Sequence, residues 1–214
     1  MSPLEWLFGI KKFDLIAPIY DFALSFIEKN TLSQLRQRFV PMVDGEVLDL
    51  AVGTGHNLAY YPLHKVSKVT MIDLSKGMLS KAREKIENDE NLKSQSEKFH
   101  LVQGPCEELP FRDEQFDVIL SIDVMCSVDD QKKTLDEAYR VLKRGGKAIF
   151  VEHFKTGYFW KDLFLSVVTL ITMPLVGASM IRETDKSIEN SQFVVEERGK
   201  VKNTGFEYFI CKKK

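Results

Sequence analysis

Between Glu46 and Asn57 the chain reads E-V-L-D-L-A-V-G-T-G-H-N, and from Met71 it reads M-I-D, so that Asp73 follows Asp49 by 24 residues. An apolar strand, a tight glycine turn, a helix and a second strand ending on an acid make the opening βαβ unit of a nucleoside-binding sheet. Dinucleotide sites use G-x-G-x-x-G, which turns backbone N–H groups and a helix N-terminus toward a pyrophosphate. Here the turn is D-x-A-x-G-x-G, with Asp49 at its head and Ala51, Gly53 and Gly55 along it. An acid at that place repels phosphate and suits a cationic, phosphate-free ligand. Asp49 can attract an ammonium, Gly53 and Gly55 allow close backbone approach, and Asp73 can clamp two ribose hydroxyls. Adenosylmethionine carries all of those groups and is the expected ligand.

The rest of the chain alternates strands and helices. Strands are expected over residues 46–50, 66–72, 99–102, 116–121 and 148–151, the fourth (F-D-V-I-L-S) as apolar as a strand buried on both faces. A helix begins at 56–61 and stops at Pro62, and a second is capped by Ser75, with Met78, Leu79, Ala82 and Ile86 at helical spacing. A third is capped by Asp129 or Asp130, buries Leu135, Ala138, Val141 and Leu142, and ends at Gly145-Gly146. Two further strands, 192–196 and 206–211, are separated by the stretch from Gly199 to Gly205. This order predicts an α/β fold: a doubly wound, Rossmann-like, mostly parallel seven-stranded sheet with an antiparallel edge strand and an N-terminal helical cap. At 214 residues the chain is expected to be one domain: a cap over 1–43, a cofactor-binding core over 44–153, an apolar helix or lid over 154–190, and a closing strand pair over 191–214.

A formal net charge of −1 supplies no general attraction to nucleic acid. Cys106, Cys126 and Cys211 are far apart and odd in number, and the N-terminus has no secretory run, so a reducing cytosol is expected, without disulfides or a metal site. No feature sets an oligomeric state.

The stretches V-L-D-L-A-V-G-T-G, G-P-C-E-E-L-P-F, F-D-V-I-L-S-I-D-V-M-C-S-V and E-A-Y-R-V-L-K-R-G-G-K together resemble the class I adenosylmethionine-dependent methyltransferases. Within them the chain resembles the small-molecule branch around the ubiquinone/menaquinone C-methyltransferases. E-H-F at 152–154 and I-R-E-T-D-K-S-I-E-N-S-Q-F at 181–193 resemble instead methyltransferase-like proteins acting on thiols or phospholipid headgroups. The resemblance implies that Asp49, Ala51, Gly53 and Gly55 hold the methionine part of the donor, that Asp73 holds the ribose, and that Leu74 and Met78 flank the adenine. Where the family has G-D-A-E, this chain has Gly104-Pro105-Cys106-Glu107, so backbone rather than a side-chain acid would line the ring there. Ser121 and Ile122 stand where the methyl group meets its acceptor. Tyr20 matches a tyrosine that closes over the donor, with a surface aromatic as the alternative.

Other residues carry paired readings. Asp73 either clamps ribose or caps the helix after it. His153 is either a base near neutrality or an ordinary loop histidine, and Glu152 is similar. Asp123 orients the acceptor or caps its turn, Met125 and Cys126 read as core, and His56 and His64 are expected to have no chemical role.

From Leu163 to Ile181 run 19 residues without a charge, long enough to count as a membrane-span candidate. Pro174, Gly177, four Ser/Thr and the position inside the sheet-building order favour an apolar lid over the acceptor instead. With the apolar segment from Trp6 to Ile27, it points to a small hydrophobic or lipid-like acceptor, possible peripheral membrane contact, and a cytoplasmic location. The expected activity is methyl transfer to a thiol, a phospholipid amine or a quinone precursor, with Tyr20 and His153 as candidates for handling it. Two alternatives stand: a protein or RNA methyltransferase, disfavoured by the charge and by S-I-D-V in place of an N-P-P-Y tetrapeptide, and a non-catalytic donor-binding subunit.

Overall fold

The computed structural model describes residues 31–153, 182–201 and 204–214, with Asp14, Ala17, Pro18, Tyr20, Asp21 and Ser179. The lid expected within 154–190 therefore falls largely outside the described residues. Among the described residues, no helix is long and apolar enough to cross a membrane.

In chain order the elements are α1 (Ser33–Phe39), β1 (Gly45–Asp49), β2 (Val66–Asp73), α2 (Lys76–Asn88), α3 (Glu90–Lys93), β3 (Phe99–Gln103), β4 (Phe116–Ile122), α4 (Gln131–Val141), β5 (Leu142–His153), α5 (Thr184–Glu189), β6 (Val194–Val201) and β7 (Phe206–Lys212). The sheet runs β3-β2-β1-β4-β5-β7-β6. The first five strands are parallel, and β7 pairs antiparallel with both β5 and β6, making the antiparallel pair at one edge. The order reverses between β1 and β4, which is where an open α/β sheet leaves a crevice at its carboxyl ends.

Side chains alternate across the sheet, so each strand feeds two cores. Val47, Val69, Met71, Ile149 and Val151 pack with Phe39, Leu58, Leu79 and Ile86 on one face. Leu48, Ile72, Ile119 and Phe150 pack with Leu135, Ala138, Val141 and Phe209 on the other. Burial of both faces explains why these strands read as continuous apolar runs. The caps act as their residue types predict: Ser75 Oγ accepts from Met78 N, and Asp130 takes the same part at α4, accepting from Lys133 N.

Three boundaries differ from the sequence expectation. After β1 only a 3₁₀ turn forms, His56–Tyr60, because Asn57 and Tyr61 point inward to Asp49 and Pro62 ends the segment. Helix α4 stops at Val141 rather than at the glycines, because Leu142 takes extended backbone and pairs with Phe116. Gly145 and Gly146 lie inside an irregular start of β5 and exchange backbone bonds with Lys213, and a Cβ on Gly146 would stand 2.8 Å from Leu142 Cδ1. Strand β6 continues through Gly199 instead of breaking there. A Cβ on Gly199 would meet the Tyr208 ring at 2.6 Å, so the glycine makes room for a cross-strand aromatic.

Candidate active site

The turn after β1 is shaped by three residues with positive φ: Ala51 at 43°, Gly53 at 58° and Gly55 at 81°. A non-glycine residue such as Ala51 in that region is held there by its surroundings. Leu50 N donates to Leu120 O and Val52 N to Ile72 O, so the strands on both sides suspend the turn. Gly55 is needed for packing, since a Cβ there would come within 2.7 Å of Leu58 Cδ1 and 3.0 Å of Ala82 Cβ. Gly53 is different: nothing lies within 4 Å of where its Cβ would be.

Asp73 fastens this turn to β2. Its Oδ2 accepts from Gly53 N and its Oδ1 from Ser75 N, both at 2.8 Å. The capping and ligand readings of this residue are thus compatible, because each carboxylate oxygen retains a second acceptor site. Burial raises its carboxyl pKa, against the pull of the two backbone N–H groups. Gly104 N donates to Asp73 O at 3.0 Å, which brings the segment after β3 alongside. There Pro105 is exposed, while Cys106 is buried beside the Ala51 N–H, its thiol pKa pushed well up by burial. Leu74 is exposed and Met78 buried, so only the first presents a large apolar face to solvent.

A cavity opens between the turn and the end of β4. It is lined by Leu50 to Thr54, His56, Asn57, Ile122 and Asp123, with Tyr20, Leu32 and Arg36 from the N-terminal side. Tyr20 therefore does face the glycine turn, and burial with the nearby Asp123 carboxylate raises its hydroxyl pKa. Asp123, at φ 60°, donates its N–H to Val151 O at 2.9 Å. A larger cavity of 810 Å³ lies between α4 and α5, lined mainly by charged, amide and hydroxyl side chains, away from the carboxyl ends of β1 and β4.

Ser121 does not reach this cavity. It is fully buried and donates to Glu152 Oε1 at 2.7 Å, while Glu152 Oε2 accepts from Val124 N and Met125 N at 3.0 Å. Burial, reinforced by Asp123, lifts the Glu152 carboxyl pKa to about 8. Glu152 thus braces the segment after β4 rather than facing a ligand. His153 packs edge-on against Phe206, 5.5 Å between ring centroids, and is not among the described residues lining the cavity.

Several contacts that the sequence reading does not foresee shape the site. Asp21 accepts from Thr54 Oγ1 at 2.5 Å and meets His56 Nε2 at 2.9 Å and Lys85 Nζ at 2.7 Å. Burial would raise its carboxyl pKa, but the hydrogen bonds from Lys85 and Thr54 hold it below the ordinary range. Asp14 Oδ1 accepts from Ser75 Oγ at 2.6 Å and Gly77 N at 2.8 Å. Asp49 is completely buried, bonded by Asn57 and Tyr61, and burial lifts its carboxyl pKa to about 6. The pairing of Asn57 and Tyr61 at i, i+4 after the turn was the available signal for that network.

The residues fit an adenosine-based donor. The open approach at Gly53, the acid at the end of β2 and the half-covered apolar Leu74 beside it answer to a close ligand backbone, ribose hydroxyls and a ring face. No backbone cradle for a pyrophosphate accompanies them in the described turn, whose Gly53 N–H is given to Asp73.

A methyltransferase domain model matches residues 48–150. The chain is 32% identical over 173 residues to a ubiquinone/menaquinone biosynthesis C-methyltransferase of Geotalea daltonii, covering 77% of this chain and 71% of that one. It is 36% identical over 139 residues to a phosphatidylethanolamine N-methyltransferase of Cereibacter sphaeroides, a match spanning 64% of each. In fold, an adenosylmethionine-dependent methyltransferase of Thermotoga maritima superposes with a TM-score of 0.71 at 21% identity, covering 96% of this chain and all of that one. The chain belongs to the class I adenosylmethionine-dependent methyltransferases, a family whose methyl donor is S-adenosyl-L-methionine.

Proposed function

We propose that the protein transfers the donor's methyl group to a small hydrophobic or lipid-like acceptor: a thiol, a phospholipid amine or a quinone precursor. The observation that carries this reading is the cavity at the switch point, walled by the Gly53 turn on one side and by Ile122, Asp123 and Tyr20 on the other. One matched relative is named for a phospholipid amine and another for quinone biosynthesis, and both names are consistent with an amphiphilic acceptor.

When bound, adenosylmethionine supplies a methyl group on a sulfonium, open to in-line displacement. An acceptor lone pair or carbanion would take that methyl while the carbon–sulfur bonding electrons stay with the sulfur, and any acceptor proton would go to water or a nearby base. Such a reaction draws most of its acceleration from proximity and alignment. In this reading Asp73 accepts from the ribose hydroxyls, Leu74 and Met78 bracket the adenine, and Gly104 to Cys106 edge it. Ala51, Gly53 and Gly55 shape the backbone that the methionine part follows. Tyr20, Ile122 and Asp123 close the acceptor side, and the apolar composition of stretches 6–27 and 163–181, which lie largely outside the described residues, supports a greasy acceptor met at a cytoplasmic membrane surface. His153 would act only if the acceptor reached the end of β5, and Ser121 only through Glu152.

Titration with adenosylmethionine tests the donor assignment, with micromolar-range binding expected and no measurable binding refuting it. A screen with labelled donor against thiols, phosphatidylethanolamine vesicles and quinone precursors tests the acceptor class. Label in none of the three would overturn it. Flotation with liposomes tests the surface contact, and a protein that stays at the bottom of the gradient excludes it.

A further inference from the structure

Between the end of β4 and the start of α4, residues 123–130 run without regular structure, yet Val124, Met125, Cys126 and Val128 are buried. Buried backbone outside a helix or sheet must still find partners for its N–H and C=O groups. Here the two kinds of group are met by different residues. The N–H groups go to acids: Glu152 Oε2 accepts from Val124 N and Met125 N, and Glu107 Oε1 accepts from Asp129 N at 2.7 Å and Asp130 N at 3.4 Å. The carbonyls go to Gln131 at the head of α4 and to residues just before α5. Gln131 Nε2 donates to Met125 O at 2.9 Å, and Ser179 N donates to Cys126 O at 3.0 Å. Arg182 Nη1 donates to Met125 O at 3.3 Å and, at shorter range, to Val128 O.

One guanidinium nitrogen thus bridges two carbonyls three positions apart, with bonds of the stronger, charge-assisted kind. The segment it holds begins at Asp123, which lines the cavity beside Ile122 with its backbone at φ 60°. A non-glycine residue stays in that region only while its surroundings dictate it. Arg182 does not itself line that cavity; it stands half-buried in the wall of the larger one between α4 and α5. The glycine turn on the donor side hangs on other bonds, from Leu50 N to Leu120 O, Val52 N to Ile72 O and Gly53 N to Asp73. We propose that Arg182 is a positioning residue for the methyl acceptor: by pinning Met125 and Val128 it fixes the Ile122–Asp123 wall against which the acceptor is aligned, and leaves donor binding alone. The inference rests on the acceptor reading above.

Wild-type protein, Arg182→Gln and Arg182→Lys are compared in three measurements. Amide hydrogen exchange at Val124 and Met125 should quicken roughly tenfold in Arg182→Gln, as the loss of charge-assisted bonds implies; unchanged exchange overturns the proposal. Adenosylhomocysteine titrated into Arg182→Gln should bind within about twofold of wild type. A weakening as large as the loss in acceptor kinetics would make Arg182 a support of the whole fold and overturn the assignment. Methylation is then followed on whichever acceptor the wild type labels among thiols, phosphatidylethanolamine vesicles and quinone precursors. There kcat/KM should fall roughly tenfold or more in Arg182→Gln, with a raised acceptor KM, because alignment carries the rate; wild-type kinetics beside quickened exchange would overturn the role. Since one nitrogen makes both bonds, the single ammonium of Arg182→Lys should restore part of the amide protection and part of the acceptor KM. A lysine variant as impaired as the glutamine one counts against that nitrogen. Wild-type protein that labels none of the three acceptors refutes the acceptor reading and this inference with it, an outcome distinct from a labelling wild type whose variants behave otherwise than stated.

Discussion

Ser121 on β4 gives its hydroxyl hydrogen to Glu152 on β5, 2.7 Å away, and both side chains lie out of solvent at the carboxyl end of the sheet. Two backbone N–H groups of the following segment, from Val124 and Met125, converge on the other oxygen of the same carboxyl. One buried acid therefore sets the path of the chain as it leaves β4 and passes Asp123 at the cavity.

This acid makes stability pH-dependent with a definite sign. Burial raises the Glu152 carboxyl pKa to about 8 in the folded protein, against an ordinary value near 4.3 when unfolded. Between those values the folded state holds the proton that the unfolded state has lost, so stability falls as pH rises through this window and levels off above it. Glu152→Gln imitates the protonated form. Relative to wild type it should gain stability between pH 5.5 and 8.5, by at most about 1.4 kcal/mol per pH unit. Denaturant unfolding at the two pH values checks this, and parallel wild-type and variant trends would refute it.

Asp73 holds the turn through Gly53 and caps toward Ser75. Asp73→Ala should weaken adenosylmethionine binding at least tenfold, about 1.4 kcal/mol. Unchanged affinity in a titration would remove Asp73 from the donor site.

The two glycines of the turn should fail in different ways. Gly55→Ala places a methyl against Leu58 and Ala82 at φ 81°, and should cost about 1–3 kcal/mol of unfolding free energy. Gly53→Ala meets no neighbouring atom, so it should cost only about 1–2 kcal/mol in stability from its left-handed backbone while weakening the donor severalfold. Melting and binding measured on the same two samples separate the effects; equal binding losses would contradict this division.

Gly199→Ala pushes into the Tyr208 ring, whose hydroxyl donates to Glu197 Oε1 at 2.7 Å. The ring must shift and strain that bond, for an expected loss of about 1–3 kcal/mol. Gly199→Ala combined with Tyr208→Leu should recover part of the loss in thermal unfolding.

What could be read from the chain followed the range of the interactions. The Ser75 cap, the choice of Asp129 or Asp130 for the next one, and the doubly apolar fourth strand are written in windows of a few residues, and the structure has Ser75, Asp130 and a strand buried on both faces there. Gly199 was misleading because its reason lies in a ring nine positions later, across the β6–β7 pair. Gly145-Gly146 looked like a helix stop because the demand of Phe116 for a strand partner at Leu142 is invisible locally. The site shows the same split. Asp49 and Asp73 stand out by spacing, but Arg36 lies 21 residues from the amide it bonds, and Asp21 lies 33 from Thr54. The bond of Ser121 was hidden for a related reason, since its partner Glu152 comes from the neighbouring strand.

The contacts of Asp14, Tyr20 and Asp21 with the glycine turn and the head of α2 have a thermodynamic consequence. If these three residues complete the donor pocket as proposed, the donor cannot bind independently of how Asp14, Tyr20 and Asp21 are seated. Whatever free energy their seating adds to donor binding, the bound donor returns in full to the seating. On the proposed reading, any acceptor that displaced those three residues would loosen the donor by the same factor.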